Sequence, residues 1–125
     1  MASVFLLPAV SLTLWTSASA QAGLSICRRP ADADAETAAM AAAQHCIDAA
    51  SDRLASSPGA SGYLAEAVMA ACIEETDRLA LATLHCQPAA NYVRLLEQFK
   101  GAAHDRAAAR LEQVRAATAR AGVQP

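Results

Sequence analysis

Aromatic side chains are nearly absent. Two Phe, two Tyr and one Trp make up 4% of the 125 residues. That leaves no platform for stacking nucleic-acid bases and little material for a large core. Lysine occurs once, at Lys100, so arginine carries the positive charge. Net charge is only −2, too small to draw in a polyanion, and no nucleic-acid partner is expected. Cys-x-x-Cys, Cys-x-x-Cys-His and glycine-rich phosphate loops are missing, which removes the usual redox, haem and nucleotide motifs. His45 with Asp48, and His104 with Asp105, come without a nucleophile turn. Neither catalysis nor a cofactor is therefore expected.

Alanine is abundant instead, at 34 residues. It is the best helix former and is depleted in strands, so the fold class expected is all-α. The first 27 residues carry no charged side chain, and Val4 to Trp15 is an apolar run. Two small-x-small patterns follow, Ala18-Ser19-Ala20 and Ala20-Gln21-Ala22. Residues 1–22 are read as a secretory signal peptide cleaved after Ala20 or Ala22, ahead of one small helical domain over 23–125. An uncleaved anchor is the rival, weakened by the Ser, Thr and Gln in its second half. Leu24-Ser25-Ile26-Cys27 looks like a lipobox, but Ile26 is not small, and acylating Cys27 would strand one of three remaining cysteines. The expected location is the periplasm or the exterior of the cell.

Asp32, Asp34 and Glu36 suit a helix N-terminus, and Met40, Ala43, Ile47, Ala50 and Leu54 recur at helical spacing. The first helix is expected over about residues 34–56. Pro58-Gly59 offers the two central residues of a type II turn. A second helix is expected over about 61–86, with its apolar stripe on Leu64, Val68, Cys72, Glu75, Leu79 and Thr83, widened by Met69, Ile73, Thr76 and Leu84. Pro88 ends it and suits the first position of a third helix, over about 89–121. Gly101 marks a kink, a break or a close approach within that helix. Tyr92, Leu95, Leu96 and Phe99 form the densest group of large apolar residues after the leader. Leu96 and Phe99 are expected to anchor the third helix to the hairpin.

Four cysteines, Cys27, Cys46, Cys72 and Cys86, permit three pairings in a short exported chain. Hairpin geometry selects one. Cys46 and Cys72 are each 13 residues from Gly59, about 20 Å from the turn at helical rise. Cys86 lies 27 residues after Gly59 and Cys27 lies 32 before it, the excess fitting an extended lead-in. Cys72 and Cys86 are two heptads apart and share a helix face. Nested bridges Cys46–Cys72 and Cys27–Cys86 are therefore expected, stapling a hairpin with a long third helix beside it. A metal site on His45-Cys46 or His85-Cys86 is disfavoured, because adjacent helical residues diverge.

Charge is unevenly divided. Residues 21–88 hold four Arg against nine acids, and residues 89–125 hold six basic against three acidic residues. The simpler consequence is docking of a basic third helix on an acidic hairpin. The sharper one is a partner-facing or lipid-facing basic stripe of Arg106, Arg110, Arg115 and Arg120. Function is thus expected to be that of a protein-interaction or structural module. An inhibitor or immunity-type protein that blocks an enzyme is the alternative, with a membrane-surface element behind it.

Overall fold

The computed structural model describes residues 26–122. The expected leader and its cleavage sites lie outside the described residues. Four helices follow one another: α1 Pro30–Leu54, α2 Ser61–Ala71, α3 Ile73–Cys86 and α4 Tyr92–Gly122. The chain is all-α among the described residues, and none of their helices is long and apolar enough to cross a membrane. Helices α2 and α3 together return along α1, and α4 packs against all three.

Helix α1 begins four residues earlier than its acidic run suggested. Pro30 sits in its first turn, where a missing N–H costs nothing and the fixed φ is already helical. Gly59 makes the following turn at φ +124, a conformation that L side chains rarely adopt. The expected second helix is divided at Cys72, whose backbone leaves helical geometry at φ −109, ψ 20. Cys72 N–H still bonds to the Val68 and Met69 carbonyls, so the chain bends rather than breaks away. Thr76 adds to the bend by donating its hydroxyl to the Cys72 carbonyl at 2.8 Å, a back-bond known to distort helices.

The irregularity changes the buried stripe at one place, where Thr76 is buried rather than Glu75. It reads Leu64, Val68 and Cys72, then Thr76, Leu79, Ala80 and Thr83, with Glu75 half-buried at the side. Ile73 is exposed, although sequence periodicity had put it near the core. Helix α4 starts at Tyr92 rather than near Pro88. Residues 87–90 form a turn, and Asn91 caps α4 by accepting the Arg94 N–H at 3.2 Å. From there α4 runs unbroken through Gly101, where an added Cβ would meet nothing within 4 Å. Gly101 therefore marks neither a break nor a close approach.

Two bridges hold the hairpin: Cys46–Cys72, with Cα atoms 5.9 Å apart, and Cys27–Cys86, with Cα atoms 4.4 Å apart. These are the nested pairs that distance from Gly59 selects. The main core lies between the inner bridge and the turn. Ile47, Ala50, Leu64, Ala65, Val68, Cys72, Ala103, Ala107 and Leu111 pack there, with Leu54, Met69 and Val114 at the edge. Alanines on α1 and α4 let the backbones approach, so few large side chains suffice. The anchors of α4 are Leu95, Ala103, Ala107 and Leu111. Leu96 and Phe99, expected in that role, are only half-buried. The α-helical period puts Phe99 between Leu95 and Ala103 on the same face, so its partial exposure comes from incomplete packing opposite it and not from its place on the helix.

Candidate functional site

The basic stripe is largely engaged within the molecule. Arg106 grips Asp48 with two bonds of 2.9 Å, and Arg110 grips Asp52 at 2.8 and 3.0 Å. Both are fork-to-fork pairs four residues apart on each helix, so α1 and α4 are locked in register. Bonding to Arg106 lowers the Asp48 pKa below its ordinary 3.8, and bonding to Arg110 does the same for Asp52. The arginines shift upward for the same reason.

Arg115 donates to the carbonyls of Ala55, Ser57 and Gly59 at 3.1, 2.7 and 2.7 Å. Those carbonyls lie where α1 ends and the turn begins, so a cation there completes the helix C-terminus. Of the four stripe residues, Arg120 lies beyond this clamp, in a stretch over 116–122 that is exposed throughout. Three of the four stripe members are thus bonded to the hairpin, with the Arg106 and Arg110 side chains 44% and 40% exposed.

The other half of the molecule is less completely filled. The core cluster stops at Ile47, Cys72 and Ala103. Just beyond it an apolar cleft of about 330 Å³ opens between α1, α3 and α4. Met40, Ala43 and Ile47 contribute one helical stripe, Leu79 the base and Phe99 the facing wall, while Gln44, Gln98 and Arg106 give it a polar margin. Thr76 reaches the cleft as well, with its hydroxyl bonded to the Cys72 carbonyl. Phe99 owes its partial exposure to this gap in packing.

The titratable pairs are scattered. His104 lies 3.8 Å from Glu66 and 3.5 Å from Asp105 at the surface. Glu74 pairs with Arg78 at 3.8 Å on an exposed helix face. His45 and His85 are exposed beside their bridged cysteine neighbours. Tyr92 donates its hydroxyl to Asp77, tying the start of α4 to α3.

One cluster escaped sequence reasoning. Glu36 looked like an acid of the first helical turn. It is instead 1% exposed and lies against the Cys27–Cys86 bridge, with a carboxylate oxygen and both sulfurs within 4.8 Å of one another. Glu36 lies four residues before Met40, on the face that carries Ala43 and Ile47, so the helical period already turned it inward, and the outer pairing sets what it meets there. No family model, curated protein or solved structure matches the chain, and function has to be read from this geometry.

Proposed function

We propose that this chain is an exported, non-enzymatic helical module that binds a protein partner through the cleft between α1, α3 and α4. The observation that carries the reading is where the main core cluster ends. That cluster stops at the inner bridge, and beyond it, where Ala43 and Leu79 are still buried, lies an apolar cavity of about 330 Å³ with a polar margin. That volume is at the small end of ligand sites. It suits one or two large side chains from an amphipathic helix laid across α1 and α4. An apolar centre with a polar rim is the usual anatomy of such an interface.

Two bridges support the same reading. They fit an oxidising compartment, as the charge-free leader does, and they hold α1 and α3 in place before a partner arrives. Preorganisation lowers the ordering cost of association. The arginine stripe contributes less than its sequence suggested, because Arg106, Arg110 and Arg115 are already engaged.

Capture from an exported-protein fraction tests the reading when it is done with variants. Wild type should retain a stoichiometric partner. Met40→Asp and Phe99→Asp should lose it with both bridges still formed, and Arg120→Glu should keep it. Capture that survives both cleft variants, or fails with Arg120→Glu alone, would overturn the assignment. Assay of the captured partner for lost enzymatic activity separates an inhibitor from a plain adaptor.

A further inference from the structure

Glutamate is among the side chains least often buried, yet Glu36 is buried at 1% exposure against two sulfur atoms. Cys27, Glu36 and Cys86 are the one group among the described residues in which three or more Cys, His, Asp or Glu ligand atoms lie within 4.8 Å of one another. The three reach that point from different elements. Cys27 comes from the non-helical segment before α1, Glu36 from within α1, and Cys86 from the last residue of α3. The inner bridge offers no such set, and its Cys72 is fully buried.

We infer that Cys27, Glu36 and Cys86 are a redox-gated site for a divalent cation of zinc type, open when the outer bridge is reduced. Two thiolates and a carboxylate belong to the donor classes that zinc accepts, and three protein ligands leave one position for water. While the bridge is closed neither sulfur is a thiolate, so the ion and the disulfide are alternative states of the same residues. An external dithiol opens the site. It supplies two electrons and two protons to the Cys27–Cys86 bond and leaves as its own disulfide. Zinc then displaces the two thiol protons to solvent, since the thiolate is the ligand.

The surroundings allow both steps. A cavity of about 690 Å³ opens beside Cys86, lined by Arg29, Asp32, His85 and Pro88 among others. It gives a reductant and an ion a route to Cys86. Cys27 precedes Pro30 and is outside any helix, so its sulfur is able to withdraw to the separation that Zn–S bonds of about 2.3 Å demand. Glu36 is held by α1 and supplies the fixed member of the set.

The test uses Co²⁺ as a spectroscopic probe and Zn²⁺ as competitor on the whole chain. A mild dithiol is applied without oxygen, removed, and the open cysteines are mapped by alkylation and mass spectrometry. Cys27 and Cys86 should react first, with the Cys46–Cys72 bridge retained. The reduced chain should then bind one Co²⁺ with a thiolate-to-cobalt charge-transfer band that Zn²⁺ abolishes. The oxidised chain should show none. Glu36→Gln should keep the band but weaken affinity by at least about tenfold, the lower end of what even outer-shell changes cost. If the dithiol opens both bridges, Cys27→Ser/Cys86→Ser decides, since the band should vanish there. A reduced chain without the band, a band that survives the double serine variant, or unchanged affinity in Glu36→Gln would overturn the inference.

Discussion

The two halves of this small bundle, divided by the Cys46–Cys72 bridge, are built on different terms. On the turn side, Leu64, Val68, Ala107 and Leu111 fill the space between helices, and three arginines of α4 lock its outer surface to α1 and the turn. On the far side, a cleft replaces part of the core, and the second bridge closes the end beside a buried glutamate. Stability is concentrated where side chains interlock, and binding capacity lies where they do not. A chain with so few large residues cannot fill both halves, and the outer bridge holds the emptier one together.

The largest expected effect follows from the filled half. Leu111 is fully buried in the core cluster. Leu111→Ala should lower stability by about 2–5 kcal/mol, measured by chemical denaturation. Phe99→Ala, although a larger truncation, should cost less than Leu111→Ala, because its side chain is only partly buried on the cleft wall. A reversal of that order would erase the distinction between the halves.

The bridges come next. Each should contribute on the order of 2–4 kcal/mol, and the outer one should exceed the inner by no more than about 1 kcal/mol from loop length alone. Sequence separations of 59 and 26 residues set that difference. Cys27→Ala/Cys86→Ala should free the segment before Pro30 to proteolysis while the turn half stays folded. Cys46→Ala/Cys72→Ala should loosen α1 against the bend at Cys72. Limited proteolysis with mass mapping reads both.

Smaller effects refine the picture. Gly101→Ala should raise the thermal midpoint, by roughly 1 kcal/mol of helix stabilisation, since the position is exposed and an added Cβ meets nothing. Asp48→Asn should cost less than about 1 kcal/mol, as exposed pairs do. Because Asp48 and Asp52 titrate below 3.8 in the folded chain, their pairs stabilise it above that pH. The contribution fades as pH falls through the lowered values. In Asp48→Asn the acid limb of the stability profile should be shallower.

Much of this architecture was legible in the residues. Equal distances of Cys46 and Cys72 from Gly59 imply the inner bridge, and Pro58-Gly59 implies the turn, because both follow from helical rise and backbone sterics. Alanine and charge division foretold a basic helix on an acidic hairpin, now seen as Arg106–Asp48 and Arg110–Asp52. What stayed hidden was how completely each position is packed. Glu75 is at the side of the stripe while Thr76, expected at its edge, is buried, and on α4 Leu95 is buried while Leu96 and Phe99 are only half-buried. Glu36 was missed because it was read as an acid of the first turn, although it continues the Met40, Ala43 and Ile47 face by one helical turn. The cleft is a shortage of packing, and no periodicity in one sequence announces a shortage.

Amide hydrogen exchange on the oxidised chain tests the division most directly, since exchange rates report local opening free energies. The slowest amides should fall in Ile47–Leu54, Leu64–Cys72 and Ala103–Leu111, around the core cluster. Those of α3 after Leu79 and of α4 before Phe99 should exchange through smaller openings, and faster. Uniform protection across all four helices, or slowest exchange around the cleft, would contradict the account.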